Sequence, residues 1–400
     1  MVELNTTTAA LIKLNWSDRV PSPAYDSLTP EQRRETRLAN PWSFLNVTLS
    51  PEDLSVNRQD INPRQISHTE LITLARESLD RILAASAFSE TQPCFYLYQL
   101  KRDQHTQTAL IAELSADSYA SGQLKIHEQI KPERAELLAQ HIKELGVISS
   151  PIATTYRNNT HITELIDNCL TGEAILTLPT LLNVEQSIWK ISDPLLINRL
   201  KDAFDAHPLY IIDGHHRAAA TFSANQKLDK NSAAIPLFCA LFPHDQLRLL
   251  GFNRWIKPEI PLNIELLLKH PQCEVIDSFE SPAPSIVTIY TNSTWLKLKL
   301  QPPRGKDPAE STDAALLQTE ILSPVLGILN ADDPAIINIP GNHPVEELCE
   351  AVDQSGGIAI FVAPIGIELF LEIANSNAVL PPKSTYFTPK VQSGIFLRSM

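Results

Sequence analysis

The chain has 400 residues, 43% of them hydrophobic and 20% charged, with a formal net charge of −13. That length supports two or three domains with sizeable cores, and the composition excludes wholesale disorder. The acidic balance comes without the basic stripe that a duplex-DNA binder needs, so no nucleic-acid partner is expected.

The first residues carry no basic segment ahead of an uninterrupted apolar run, so no secretory signal is expected. The longest apolar run, 358–367, is broken by Pro364 and Gly366 and ends at Glu368. It is too short to cross a bilayer and reads as a buried strand, so no membrane partner is expected. Five scattered cysteines with no C-x-x-C pair read as reduced core thiols, which points to the cytoplasm and away from a cysteine-rich zinc site.

Near the N-terminus, Pro21-Ser-Pro-Ala-Tyr-Asp26 is a proline-stiffened turn that presents Tyr25 and Asp26, either as an ordinary turn or as part of a pocket wall. Asn40-Pro-Trp-Ser-Phe-Leu-Asn46 reads as the approach to a strand ending at Leu49. The spacing of Leu71, Ala75, Leu79, Ile82 and Leu83 predicts a helix over 69–87. Strands at 95–100 and 109–114 flank a polar tip, which predicts a hairpin. A second helix spans 132–145, with Pro132 in its first turn and Gly146 as its left-handed stop. A third runs from Pro194 to about Ala206 behind an Asp193 cap. A buried strand is expected at 235–242, and a second hairpin at 286–290 and 295–300. Thirty prolines against twelve glycines predict stiff connections. The alternation is irregular, so the fold class is mixed α/β (α+β) rather than a repeated βαβ unit. Seams are expected at Ser149–Pro151 and Gln301–Glu310, giving lobes over 1–149, 150–300 and 301–400.

The segment from Leu209 to Ala220 carries the most chemistry. Four apolar residues make a buried strand, Gly214 permits a tight turn, and the alanines favour a helix. Asp213, His215, His216 and Arg217 are thereby delivered to a first helical turn. There, main-chain N–H groups and the positive end of the helix dipole favour an anion. Arg217 can add a bidentate grip on phosphate oxygens. Asp213 would repel a phosphate directly. It is expected to orient a histidine, cap the helix, or hold a magnesium ion bridging to the phosphate. The alternative is an N-cap followed by partly exposed histidines. Adjacent histidines rarely converge on one metal, so zinc is not expected there.

Two further clusters are candidates. In Gly122-Gln-Leu-Lys-Ile-His-Glu128, alternation puts Lys125 and His127 on one side and Ile126 and Glu128 on the other. Glu128 can accept a proton from a substrate hydroxyl, and Lys125 or His127 can neutralise phosphate charge; the alternative is a solvated strand end. The proline-stiffened stretch 380–394 positions Lys383 and Lys390, beside Ser384 and Thr385, as a phosphate-facing edge or as an ordered tail packed on the core.

These segments occur in an order that resembles one bacterial and archaeal family, the domain of unknown function 1015 (DUF1015). The resemblance spans almost the whole chain and rests on PAYD, NPWSFLNV, SGQLKIHE, ISDP, LYIIDGHHRAAA, GFNRW and LPPKSTYFTPKVQSGIF. The chain departs from the family pattern at Ala24, Ser27 and Gln129–Lys131. The D-G-H-x-R element is in turn similar to the phosphate-binding turn of the ParB and sulfiredoxin-like superfamily, which includes free serine kinases using ATP or ADP. The resemblance implies a ParB/sulfiredoxin-like core over 150–300 with N- and C-terminal elaborations. It implies that Gly214, His215, His216 and Arg217 bind nucleotide phosphates, with Asp213 near a Mg2+ ion or the substrate. On that reading Lys125, His127, Lys383 and Lys390 add positive charge. Glu128, and after it Asp26, is the proposed base, with Asp213 and His216 as further catalytic candidates. The expected activity is phosphoryl transfer from a nucleotide to a small hydroxyl compound, free serine being the candidate. The alternative is a nucleotide-binding or nucleotide-hydrolysing regulator, or a phosphohydrolase of the same superfamily.

Overall fold

The computed structural model describes residues 3–50, 53, 67–90, 92–205, 207–228, 233–258, 264–302 and 307–400. The chain is mixed α/β and forms two units, each discontinuous in sequence. The first comprises Met1–Lys125, Ile130–Leu247 and Pro389–Met400; the second comprises Ile126–Gln129 and Arg248–Thr388.

The first unit is built on a nine-stranded sheet. Its strands are β1 (Leu4–Asn5), β2 (Phe95–Arg102), β3 (His105–Leu114), β4 (Leu124–Lys125), β5 (Ile152–Tyr156), β6 (Leu176–Leu181), β7 (Val184–Ile191), β8 (Leu209–Asp213) and β9 (Leu237–Pro243). The order across the sheet is β4-β8-β5-β9-β3-β2-β7-β6, with β1 paired to β3. The predicted hairpin is β2 and β3, whose pairing runs to Arg102 opposite His105, so its tip is tighter than the polar stretch suggested. Phe95, Leu97, Tyr98, Leu110 and Ile111 are fully buried. Side chains of this kind contribute roughly 1.5–3 kcal/mol each on burial. The C-terminal segment closes the same core: the Phe396 ring lies 5.4 Å from Tyr96 and 5.8 Å from Tyr98.

Among the helices of this unit are α1 (His68–Ala84), α2 (Pro132–Leu145), α3 (Thr160–Leu170), α4 (Pro194–Phe204) and α5 (His215–Gln226). Helix α2 has the predicted ends, with Gly146 at φ 68° as its left-handed stop. Helix α4 is capped by Asp193, which accepts a hydrogen bond from the Leu195 amide at 3.1 Å. Its expected end at Ala206 lies outside the described residues. Small residues let α2 and α5 approach closely, since Ala139, Ala220 and Ala224 share one apolar cluster with Ile142 and Ile235. The alanine run after Gly214 therefore serves packing as well as helix propensity.

The second unit holds a six-stranded sheet of β10 (Phe252–Ile256), β11 (Cys273–Ile276), β12 (Ile286–Thr291), β13 (Thr294–Lys299), β14 (Ile336–Pro340) and β15 (Ile358–Phe361). Their order is β11-β13-β12-β15-β10-β14. The predicted second hairpin is β12 and β13, joined by Asn292 and Ser293 at φ 47° and 55°. Positive φ at both central residues gives a turn whose twist matches the strands. Helices α6 (Val345–Ser355) and α7 (Ile367–Asn375) also belong to the unit.

Three expectations are corrected. The stretch before Leu49 is a short 3-10 helix, Phe44–Asn46, instead of a strand. The Asn46 amide donates to the carbonyls of Asn40 and Ser43, and such local side-chain bonds favour a turn over an extended chain. The seam expected at 149–151 lies inside the first unit, because β5 is hydrogen-bonded between β8 and β9. The seam expected at 301–310, of which residues 303–306 lie outside the described residues, falls inside the second unit. Long-range strand pairing sets these boundaries, and local composition does not report it.

Candidate functional site: the Gly214 turn

Strand β8 ends in an irregularity. Ile211 faces Thr154 of β5, yet Asp213 faces Ala153, so two steps on β8 match one on its partner. A bulge of this kind resets the side-chain alternation and re-aims the residue that follows. Gly214 comes next at φ 96° and occupies the cap position of α5 without any side-chain cap. The first helical hydrogen bond runs from the Ala218 amide to the Gly214 carbonyl at 3.0 Å. By helix geometry the amides of His215, His216 and Arg217 then have no acceptor within the helix.

The Asp213 carboxylate binds two cations. One oxygen accepts from Lys390 Nζ at 2.7 Å and the other from Arg217 Nη2 at 2.5 Å. Burial alone would raise the Asp213 pKa, but the charges of Lys390 and Arg217 more than offset it. The carboxyl is thus held well below the usual carboxylate range, and His215 contributes in the same direction. Arg217 is further held by the main chain, where its Nη1 donates to the carbonyls of Ser150 at 2.9 Å and Pro151 at 2.5 Å. Its guanidinium folds back over Gly214: a Cβ there would meet Nε and Nη2 at 2.9 Å. Glycine is therefore required twice, for φ and for the space that Arg217 occupies. Asp213, Arg217 and Lys390 together carry one net positive charge at the start of α5.

Several expected roles change. Three of the five Arg217 guanidinium donors are already engaged by protein groups, which leaves two for any ligand. Asp213 neither caps α5 nor suits a proton acceptor, since its pairing with two cations stabilises the ionised form. It also does not fit the magnesium role, because each carboxylate oxygen already faces a cationic side chain. Among the described residues no three His, Cys, Asp or Glu side chains gather into a metal-binding group. His215 is 2% exposed, so its side chain is core and its main chain is what reaches the turn. His216 Nε2 accepts the Lys131 amide at 3.2 Å, joining the start of α5 to the start of α2.

The remaining candidates are distributed. Lys125 ends β4, in parallel register with Tyr210, three residues before Asp213 and hence roughly 10 Å back along the strand direction. Asp26 sits in the short turn Tyr25–Ser27, and its side chain lies outside the described residues. Tyr25 beside it donates to Asp53 at 3.1 Å and lies under the Arg33 guanidinium at 3.8 Å. His127, Glu128 and Lys383 belong to the second unit. There His127 is 3% exposed, meets Thr385 Oγ1 at 3.3 Å and packs edge-on against Phe370 at 4.6 Å. The Lys383 ammonium lies over the Phe252 ring at 5.2 Å. Reading the sequence singled out Gly214, Arg217, Asp213 and Lys390, but missed the carbonyls of Ser150 and Pro151 that fix Arg217. Main-chain acceptors leave no residue-type signal.

The chain is thus a mixed α/β protein in which helix α5 starts at a glycine beside a cluster of one net positive charge. The chain belongs to the family described as protein of unknown function (DUF1015), whose pattern it matches over residues 9–325. Among curated proteins no match is found. Solved structures similar to it include the following three. The C-terminally truncated SbnI from Staphylococcus aureus is 12% identical, with a TM-score of 0.38 over 71% of this chain and 85% of that one. A free serine kinase mutant in complex with ADP is 15% identical, with a TM-score of 0.37 over 74% and 95%. A conserved hypothetical protein from Pyrococcus furiosus is 13% identical, with a TM-score of 0.34 over 74% and 97%. No helix among the described residues is long and apolar enough to cross a membrane.

Proposed function

We propose that the chain binds the phosphate end of ATP or ADP at the Gly214 turn and transfers the terminal phosphoryl group to a small hydroxyl compound, free serine being the candidate. The observation that carries this reading is the Asp213–Lys390–Arg217 cluster. It leaves one net positive charge at a helix start whose main-chain N–H groups have no acceptor within the helix. Phosphoryl transfer depends mainly on positioning and on neutralising charge, and a fixed turn of this kind supplies both. In the reaction the acceptor oxygen forms a bond to phosphorus as the bond to the leaving nucleotide oxygen breaks. The hydroxyl proton passes to a carboxylate base. Asp213 then serves as a positioning residue that holds Lys390 and Arg217 in place.

The test is a transfer assay with radiolabelled ATP or ADP and serine, scored for labelled serine phosphate. The expected result is a labelled product in the native protein, reduced by about tenfold or more in Lys390→Met, which removes one of the two cations at the turn. Nucleotide binding without transfer to any hydroxyl compound would favour the hydrolytic or regulatory reading of the same turn.

A further inference from the structure

Within the second unit, strand β10, which lies between β15 and the edge strand β14, carries Arg254, a residue of the GFNRW segment that the Gly214 turn does not use. Only 5% of Arg254 is exposed. Its Nη1 donates to the Phe252 carbonyl and its Nη2 to the Lys383 carbonyl, the latter at 3.0 Å. No carboxylate among the described residues pairs with it. Burial alone pulls its pKa down to about 10. Buried guanidinium groups ordinarily come paired, because a lone desolvated charge is costly.

The residue directly opposite Arg254 on β14 is Asn338. Cross-strand partners share one face of a sheet, so the amide and the guanidinium lie on the same side. The Asn338 Oδ1 is buried without a hydrogen-bond partner. A buried acceptor left unmatched costs stability just as an unmatched cation does. The third member is Lys383. It is exposed, adopts φ 58°, an uncommon value for a non-glycine residue, and holds its ammonium over the Phe252 ring at 5.2 Å. A buried cation without a counter-ion thus stands opposite a buried acceptor that lacks a donor, and a second cation lies over Phe252, two residues along the same strand.

We propose that Arg254, Asn338 and Lys383 form a second ligand site, for a small carboxylate bearing an adjacent hydrogen-bond donor, an α-amino or α-hydroxy acid. The carboxylate faces Arg254 and Lys383, and the neighbouring ammonium or hydroxyl donates to Asn338 Oδ1. A simple carboxylate satisfies only the cations, and inorganic phosphate leaves Asn338 Oδ1 with a weaker donor. The site stands without reference to phosphoryl transfer. It deepens that reading only by naming a class of compound to which free serine belongs.

Calorimetric titration of the full chain, without nucleotide, tests it with L-alanine, L-lactate, propionate and inorganic phosphate. Alanine and lactate separate the amino from the hydroxy source of the donor. The expected result is that one of them binds about tenfold or more tighter than propionate or phosphate. Asn338→Ala should erase that preference while retaining weak carboxylate binding. Lys383→Met and Arg254→Lys should weaken all carboxylates by about tenfold. Lys383 is exposed, so its variant remains informative if the Arg254 variant fails to fold. Absence of binding by alanine and lactate, equal binding of alanine, lactate and propionate, or unchanged affinity in Lys383→Met and Asn338→Ala would overturn the proposal. None of these outcomes bears on nucleotide binding at Gly214.

Discussion

A Cβ on Gly214 would stand 2.9 Å from the Arg217 guanidinium, at a φ of 96° that L-residues avoid. Gly214→Ala is therefore expected to destabilise the first unit by about 1–3 kcal/mol and to displace Arg217 from the Ser150 and Pro151 carbonyls, which chemical denaturation measures. Arg217→Lys should fare little better, since one ammonium cannot span two carbonyls and a carboxylate in the same geometry. Asp213 makes a pH prediction whose sign is fixed. Its folded pKa lies below the unfolded value, so its contribution to stability is complete above about pH 4 and is lost as pH falls below that. Asp213→Asn should lower stability at pH 7 and flatten the acid limb in urea titrations at successive pH values. An unchanged acid limb would contradict the pairing with Lys390 and Arg217. At this scale the sequence was most informative where residue type implies chemistry. Gly214 and the charges around it are legible, whereas the Ser150 and Pro151 carbonyls that fix Arg217 carry no residue-type signal.

At the scale of elements, the start of α5 is tied to α2 by His216 and, further along, by the alanine seam. Ala220 and Ala224 allow close approach, so Ala224→Leu should overpack the contact and destabilise by about 1–3 kcal/mol, read as a lower denaturant midpoint. Helix α2 also carries His141, whose pKa burial, aided by the charge of His68, pulls down to about 4. A histidine kept neutral in this way loses stability as pH falls from about 6.5 toward 4, because the unfolded chain takes up the proton first. Helices α2 and α4 and the two hairpins were legible, since amphipathic period, Pro at the helix start, Gly146 and alternating apolar residues are local signals. The bulge before Gly214 was not, because it depends on how β8 registers with β5. The 3-10 helix at 44–46 was hidden for a related reason: the Asn46 side chain competes with strand hydrogen bonds in a way that an apolar pattern does not report.

For the whole molecule, each unit draws on distant parts of the chain. The segment Pro389–Met400 belongs to the first unit and delivers Lys390 to Asp213, while Ile395 and Phe396 are fully buried. Three expected lobes became two units because strand pairing joins segments that composition separates. The central claim is that the Gly214 turn receives the phosphate end of a nucleotide, and it is tested most directly by equilibrium titration of the full chain with ADP and with adenosine, native and Lys390→Met, at two salt concentrations. The account predicts that ADP binds and adenosine does not, that affinity falls as salt rises, and that Lys390→Met weakens ADP by about tenfold. Equal affinity for adenosine and ADP, or ADP binding indifferent to Lys390, would contradict it.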